Sequence, residues 1–163
     1  MTVTNVHKDP DALTMTITVE LDASVERAWQ LWADPRQLER WWGPPGYPAT
    51  FVDHDLTPGS RSIYYMTTPE GDKPHGWWEV LTVDPPRRLE VKDGFADDTG
   101  KPNDDMPAGR MVVTLDERDG KTVMEITSYF TSLEAMEQLI SMGQEEGMVQ
   151  ALGQIEEILA DSA

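Results

Sequence analysis

Residues 131–160 read TSLEAMEQLISMGQEEGMVQALGQIEEILA, and the architecture of the whole chain depends on how this segment folds. It opens on Thr131–Glu134, a capping-box pattern that satisfies the free backbone N–H groups at the start of a helix. Apolar or small residues then recur at three- and four-residue spacing, which marks the inner face of a helix. These residues are Leu133, Met136, Ile140, Gly143, Gly147, Ala151, Ile155 and Ile158. The pattern predicts one helix that runs to about Ala160 and, at roughly 40 Å, could cross a whole sheet.

Most of the preceding chain has the pattern of antiparallel strands. Between Leu13 and Leu21 apolar and polar residues alternate, which is typical of a strand with one buried face. Asp119-Gly120 is a hairpin turn signal, and clusters of glycine, proline and aspartate separate the other segments. The seven predicted strands are Leu13–Leu21, Thr50–Leu56, Arg61–Thr67, Gly76–Val83, Leu89–Phe95, Arg110–Asp116 and Thr122–Phe130.

Two short helices are predicted between the first two strands. Ser24 caps the first helix, and Asp34-Pro35 opens the second, with Gln37 reaching back to its start. The second helix ends at Trp41-Trp42, where Gly-Pro-Pro-Gly follows. Because the helices are segregated from an antiparallel sheet, the predicted class is α+β. We expect a single domain over residues 1–163, with its core at about 13–160.

Composition excludes several classes of function. The chain has 163 residues, 39% of them apolar, and a net charge of −17. A field of that sign repels phosphate and anionic lipid headgroups, so we expect neither nucleic acid nor a membrane as a partner. The sequence has no cysteine, no signal-peptide pattern and no apolar run of transmembrane length. We therefore expect an acidic, cytoplasmic protein.

Several motifs occur together in an order that resembles a known superfamily. They are VERAWQLWADPRQLERWWGPP (25–45), DLTPGSRSIYYMTTPEG (55–71), VDPPRRLEV (83–91), GFADDTGKPNDDMP (94–107) and SMGQEEGMVQALGQIEEIL (141–159). Over about residues 13–160 the chain is similar to the START-like (SRPBCC, helix-grip) superfamily, in the branch of homologues of the activator of heat-shock protein 90 ATPase. The resemblance implies a curved seven-stranded sheet that grips the C-terminal helix, with a cavity between them. Members of the superfamily carry lipids, hormones or polyketide-like molecules, and some are cyclases or hydrolases.

Strand alternation indicates which side chains face that cavity. Val52, His54 and Leu56 share one face, with Phe51 opposite, and we expect Trp78 rather than Trp77 to point inward. The candidate ligand-binding residues are Trp42, His54, Tyr64, Met66, Trp78, Phe95, Met111, Gly143 and Gly147. So many aromatic and methionine side chains suit an adaptable apolar pocket, and they suit a plain core equally well.

Two of these candidates have a second interpretation each. Gly143 and Gly147 either leave space in the cavity or allow the helix backbone to pack closely on the sheet, since both uses depend on the missing Cβ. His54 is the one titratable residue that this pattern assigns to an aliphatic face. It is either a general base or ligand contact, or a histidine satisfied by a neighbouring hydrogen bond.

The sequence contains none of the common catalytic or metal-binding motifs. The sequence contains no HExxH, GxSxG, Walker or GxGxxG motif, and its three scattered histidines do not form a metal site. Asp97, Asp98, Asp104 and Asp105 do not have the spacing of a calcium loop, so we interpret them as a solvated loop. We therefore expect no cofactor, no metal and no assigned catalytic residue.

Three functions are compatible with these observations. The first is the binding of a small hydrophobic or amphipathic molecule in an internal cavity, without catalysis. The second is a cavity enzyme, a cyclase, lyase or hydrolase with His54 as base and Tyr64 or Glu146 assisting. The third is a chaperone-associated protein, although the eukaryotic activator needs a separate N-terminal domain to engage its client. The tryptophans and the long helix also offer surface for a homodimer.

Overall fold

The computed structural model describes residues 2–103 and 108–161, and the strands among them form one antiparallel sheet. The strands are β1 (Thr2–Asp9), β2 (Thr14–Leu21), β3 (Ala49–Asp53), β4 (Arg61–Met66), β5 (His75–Asp84), β6 (Arg88–Ala96), β7 (Gly109–Arg118) and β8 (Lys121–Phe130). The helices are α1 (Val25–Ala33), α2 (Pro35–Trp41), α3 (Leu133–Ser141), α4 (Gln144–Leu152) and α5 (Ile155–Asp161). The predicted α+β class is therefore confirmed.

The sheet is a meander to which an N-terminal hairpin is added. Its order is β1-β2-β8-β7-β6-β5-β4-β3, so β3 to β8 pair consecutively while β2 pairs with β8. Inward-facing residues of these strands form one hydrophobic core with apolar residues of all five helices. Helices and core thus lie on the same face of the sheet.

The sheet has eight strands among the described residues, one more than the sequence predicted. The additional strand, β1, pairs with β2 along its length. Its two apolar residues, Val3 and Val6, are three positions apart, so strict alternation would place them on opposite faces. A register shift between Val3 and Asn5 removes that conflict, and both valines pack against the core. The bulge is the reason that the strand has no recognisable period in the sequence.

The predicted starts of α1 and α2 are confirmed in atomic detail, whereas α3 is capped by Ser132 rather than by Thr131 of the predicted capping box. The Ser24 hydroxyl accepts a hydrogen bond from the Arg27 N–H at the start of α1. At the start of α2 the Asp34 carboxylate accepts one from the Arg36 N–H at 3.0 Å. The Gln37 side chain reaches back to the same carboxylate at 3.0 Å. These caps fix where each helix begins and hence which residues point at the sheet.

Four buried tryptophans join the two short helices to the sheet. We call Trp32, Trp41, Trp42 and Trp78 the tryptophan cluster. The ring centroids of Trp32 and Trp41 are 4.7 Å apart, and those of Trp42 and Trp78 are 4.9 Å apart, both pairs edge to face. Such pairs contribute about 0.5–1.5 kcal/mol each beyond the burial of their area. The Trp41 indole N–H also donates to the Leu31 carbonyl at 2.9 Å.

The predicted facing of β3 is wrong. Phe51 is buried among the aromatic rings, whereas Val52 is 60% exposed. The register with β4 shifts between Phe51 and Asp53, and the strand ends there. His54 and Leu56 therefore do not continue the alternation of β3. They follow a bulge, after which side chains no longer alternate between the two faces as they do in a regular strand.

The predicted single C-terminal helix is three helices. Gly143 has φ = +93°, a left-handed conformation that ends α3 and that glycine adopts without strain. A second break at Gly153-Gln154 separates α4 from α5. Leu133, which we predicted on the inner face, is 48% exposed, while Met136, Ile155 and Ile158 are buried as expected. No helix in the described part of the chain is both long and apolar enough to cross a membrane.

The backbone is tightly packed at Gly43, after α2, and this packing can be tested by substitution. A Cβ on Gly43 would lie 1.8 Å from the Tyr47 carbonyl oxygen, a backbone atom with little freedom to move. The Gln154 side-chain amide also donates to the Gly43 carbonyl at 2.6 Å, which connects the end of α2 to the α4–α5 break.

We expect Gly43→Ala to lower the free energy of unfolding by about 1–3 kcal/mol, as overpacked sites do. The matched control is Gly147→Ala inside α4. A Cβ there meets nothing within 4 Å, and the variant should gain about 1 kcal/mol from helix propensity. Urea unfolding with unchanged m values measures both. Equal stability of the two variants would contradict this packing.

Candidate ligand-binding cavity

A cavity of about 330 Å³ lies between the sheet and the helices around the α3–α4 break. Strands β4, β6, β7 and β8 contribute one side of it, and α3, α4 and the residues between them contribute the other. Its wall is formed by Trp42, Pro44, Tyr64, Met66, Asp93, Gly94, Phe95, Gly109, Arg110, Met111, Ser128, Tyr129, Phe130, Leu139, Met142, Gly143, Gln144, Gly147 and Met148. Most of these side chains are apolar, which is typical of sites for small organic molecules.

The structure brings seven of the nine candidate residues to this one cavity. They are Trp42, Tyr64, Met66, Phe95, Met111, Gly143 and Gly147. The residues come from three strands, from α4, from the segment after α2 and from the α3–α4 break, so their meeting is a result of tertiary folding. The other two candidates, His54 and Trp78, are not part of the wall.

Trp78 lies on the inner face of β5 but inside the tryptophan cluster. It is fully buried, and its ring contacts those of Trp42, Trp32 and Phe51 at centroid distances of 4.9, 6.2 and 5.5 Å. Trp77 points to the other face, where its ring lies over Gly94 and Arg61. The tryptophan cluster thus fills the interior next to α1 and α2, and the cavity lies beyond Trp42.

Both ring nitrogens of His54 are engaged by the protein. Nε2 lies 2.8 Å from the Trp32 carbonyl and Nδ1 lies 3.0 Å from the Ser62 hydroxyl. Because the carbonyl only accepts, Nε2 carries the proton and Nδ1 accepts from Ser62 in the neutral ring. Burial lowers the pKa of His54, which favours this neutral form. The geometry therefore favours a structural histidine over the general base of the enzyme hypothesis.

Tyr64 lies flat over a glycine at the edge of the cavity. A Cβ on Gly76 would be 2.5 Å from its phenol ring, so only glycine leaves room for this orientation. The ring stacks on Phe51 with centroids 5.0 Å apart. Burial raises the pKa of Tyr64 well above its usual range, and the neighbouring Trp42 indole opposes this effect in part. Tyr64 is therefore a neutral hydroxyl at any physiological pH.

The two glycines of the C-terminal segment leave open space rather than close contact. A Cβ at Gly143 or Gly147 would meet nothing within 4 Å, and both residues line the cavity. Of the two interpretations offered by the sequence, the geometry favours the one in which missing side chains enlarge the cavity. Gly143 has the further role of ending α3 through its positive φ.

Asp93 is a cavity residue that our sequence reasoning missed. It is half-buried on β6, opposite Gly109 of β7, and its removal from bulk water raises its pKa from 3.8 to about 6. A hydrogen bond from its own backbone N–H opposes the shift. The sequence already contained this information, because the two-residue alternation of a strand places Asp93 on the same face as Leu89, Val91 and Phe95. A carboxylate on an otherwise apolar inner face is a candidate functional group.

Two other polar atoms in the wall have unmet hydrogen-bonding capacity. The Gln144 Oε1 is buried without a partner among the described residues. The Trp42 Nε1 lies near Tyr64, yet it meets hydrogen-bond geometry with no acceptor in that part of the chain. Buried polar groups of this kind are normally paired, so an unpaired acceptor and an unpaired donor beside a cavity are suited to a ligand.

Arg110 borders the cavity but its charge is directed elsewhere. It alternates with Met111, which places its side chain on the outer face of the sheet. There it forms an ion pair with Glu90 and stacks over the Tyr129 ring at 4.1 Å. Asp93 is therefore the charged side chain that faces the cavity from the described strands.

The described residues include no group of three histidine, cysteine, aspartate or glutamate side chains arranged to hold a metal ion. Asp97 is exposed and accepts hydrogen bonds from Thr99 and the Lys101 N–H, which lowers its pKa. These bonds hold a turn, in agreement with our interpretation of a solvated loop. Asp104 and Asp105 lie outside the described residues.

Solved structures of several bacterial proteins share this fold. The chain is 49% identical to protein Ms6760 from Mycobacterium smegmatis, with 97% of each chain covered and a TM-score of 0.90. It is 48% identical to a protein from Arthrobacter aurescens, with 98% of this chain and 93% of the other covered and a TM-score of 0.94. A Staphylococcus epidermidis protein is 27% identical over 97% of this chain and 94% of its own, with a TM-score of 0.84.

No curated protein sequence matches this chain. A family model does: that of the Activator of Hsp90 ATPase homolog 1-like proteins matches residues 22–160. The match runs from before α1 to the next-to-last residue of α5, and thus includes every residue of the cavity wall. The resemblance inferred from the motifs is therefore confirmed, and the chain belongs to the family of Activator of Hsp90 ATPase homolog 1-like proteins, with a START-like fold.

Proposed function

We propose that this protein binds a small, mainly apolar molecule in the cavity between its sheet and its C-terminal helices. The observation that carries the proposal is the hollow of about 330 Å³, lined mostly by apolar side chains with a few polar groups among them. Ligand sites in proteins are typically about 300–1,000 Å³ with this kind of wall. The volume is near the lower end of that range and suits one or two rings or a short chain.

The wall is suited to adapt to its ligand. Four methionines border the cavity, and their unbranched side chains change conformation at little cost. They are Met66, Met111, Met142 and Met148. Met142 is also 54% exposed beside the α3–α4 break, where a ligand could enter. Aromatic rings elsewhere in the wall give flat surfaces against which a planar molecule would pack.

The hollow is maintained by features that reduce stability, which supports a functional role. Gly147 lowers the stability of α4 by about 1 kcal/mol relative to alanine, although a Cβ would fit there. Asp93 holds a carboxyl group against an apolar wall, and Gln144 leaves an acceptor unpaired. A core selected only for stability would replace all three, whereas a binding site retains such residues.

Binding is favoured over the two other hypotheses by the positions of specific residues. The enzyme hypothesis required His54 in the cavity, and both of its nitrogens are bonded elsewhere. The chaperone-associated hypothesis, which the family name suggests, concerns an outer surface and gives no reason for an internal hollow. Ligand binding needs only the hollow and no catalytic residue.

A cavity-filling variant tests the proposal. We expect a panel of small aromatic and aliphatic compounds to contain members that raise the melting temperature of the protein by about 5 °C or more at 100-fold excess over Kd. Gly147→Phe should abolish these shifts, because its ring would occupy the hollow. Gly147→Ala is the matched control and should retain most of them. If no compound shifts the melting temperature of the unmodified protein, the proposal is wrong.

The pH dependence of stability tests the environment of Asp93. Since its pKa is raised from 3.8 to about 6, the native state holds a proton that the unfolded chain releases over this range. The stabilisation from the protonated form is present below about pH 4 and is lost as the pH rises through 6. We expect Asp93→Asn to be more stable than the unmodified protein at pH 7.5 and equally stable near pH 4.

Urea unfolding at both pH values measures this difference. The control is Asp53→Asn, which also removes one negative charge but lies at the exposed end of β3. Relative to the unmodified protein, its free energy of unfolding should not rise between pH 4 and pH 7.5. An Asp93→Asn variant that is less stable than the unmodified protein at pH 7.5 would mean that Asp93 has a stabilising partner within the protein.

A further inference from the structure

Asp93 gives the cavity a negative charge that the described residues do not balance. It forms no ion pair with any of them, and the nearby Arg110 is paired with Glu90 on the outer face. An ionised carboxylate that is partly withdrawn from water is stabilised by a nearby cation or by several hydrogen-bond donors. Among the described residues, its only hydrogen-bond donor is its own backbone N–H. A ligand is therefore the natural source of the missing partner.

Other groups in the wall are also suited to contact a positively charged hydrogen-bond donor. The unpaired Gln144 Oε1 is an acceptor available to a donor, and the Ser128 hydroxyl in the wall can accept as well as donate. Trp42 and Phe95 also line the cavity, and aromatic rings of this kind attract cations. By contrast, the Trp42 N–H is the one unpaired buried donor among the described wall residues. The Asp93 carboxylate and the unpaired Gln144 oxygen make the wall a better partner for a cationic donor than for an anion.

The charge of the whole chain acts in the same direction. With a net charge of −17, the protein attracts cations and repels carboxylates before they reach the cavity. A fatty acid or other anionic amphiphile would meet this field first and the Asp93 carboxylate afterwards. Among amphipathic molecules of suitable size, the two effects together select those that carry a positive charge.

We propose that the ligand of this cavity is a small aromatic or aliphatic amine, whose protonated nitrogen contacts the Asp93 carboxylate while its apolar body packs among the methionines. This inference rests on the proposed binding function and specifies its chemical class. A charge-assisted hydrogen bond in such a site increases affinity by about tenfold or more. The amine would also supply the donor that Gln144 lacks.

The pH response of amine binding reports on Asp93 itself. Tyr64 is the other titratable wall residue on the inner face of β4 to β8, and its raised pKa keeps it neutral. From α4 the wall receives Gln144, Gly147 and Met148, which do not titrate in this range. Asp93 is ionised at pH 7.5 and largely protonated at pH 5. Affinity for an amine should therefore fall between these values, while affinity for a neutral analogue should not.

Four compounds with one ring system test the inference: tryptamine, tryptophol, 3-ethylindole and indole-3-propionate. The first is a cation, the next two are neutral, and the last is an anion. Binding is followed by NMR of the methionine methyl groups at pH 7.5 and pH 5. Met66, Met111 and Met148 report on the wall, while Met15 and Met124, buried elsewhere in the core, serve as internal references.

We expect tryptamine to bind about ten times more tightly than 3-ethylindole at pH 7.5, and indole-3-propionate to bind most weakly. Asp93→Asn should remove the preference for the amine and leave the affinity for 3-ethylindole within about threefold. Asp93→Glu, which keeps the charge, and the surface control Asp53→Asn should both retain the preference.

The outcomes separate this inference from the proposed function. If 3-ethylindole shifts the wall methyls but tryptamine binds no better, or if Asp93→Asn keeps the preference, the amine inference is wrong while binding in the cavity stands. If none of the four compounds shifts a wall methyl at millimolar concentration, and the wider panel gives no thermal shift, both proposals are wrong.

Discussion

The packing of four tryptophans between the short helices and the sheet is the contact on which the rest of the interior depends. Trp32 lies in α1, Trp41 in α2 and Trp78 in β5. Trp42 is the member of the cluster that also lines the cavity. Large rings in edge-to-face contact resist rearrangement, so one part of the interior is filled by rigid groups. The helical side of the neighbouring cavity is formed by Met142, Gly143, Gly147 and Met148, which are small or flexible. The cavity therefore has one firm side and one adaptable side.

Glycine determines how the adaptable side is built. A continuous helix would have presented a single row of side chains to the sheet, but the left-handed turn at Gly143 divides it. The division directs Gln144 and Met148 toward the same space as Leu139 from the preceding helix. Gly147 then leaves that space open. The chain thus forgoes helical stability at the point where a ligand would lie, a relation common in binding sites.

The two titratable residues that drew attention, His54 and Asp93, have opposite environments. His54 is buried with a partner on each nitrogen, so its burial is satisfied within the protein. Asp93 borders the cavity with no ion-pair partner among the described residues, so its burial is not satisfied. A buried charged group without a partner in the protein says more about the chemistry of a ligand than a group whose hydrogen bonds are all made within the protein. For this reason Asp93, rather than the histidine, leads to a chemical class of ligand in a family whose name refers to a chaperone activator.

Periodicity and capping residues in the sequence were enough to predict the α+β class, seven of the strands and the starts of α1 and α2. These features depend on neighbours along the chain, where side-chain direction follows from the period of a helix or strand. The cavity itself was implied by the family resemblance, and seven of the nine candidate residues line the one that the structure shows. The strand β1, the reversed facing of Phe51 and Val52 and the division of the last helix depended on bulges and a backbone turn that interrupt the period. The isolation of Asp93 and the pairing of His54 with the Trp32 carbonyl were decided only by tertiary structure, because burial and hydrogen-bond partners come from residues distant in the chain.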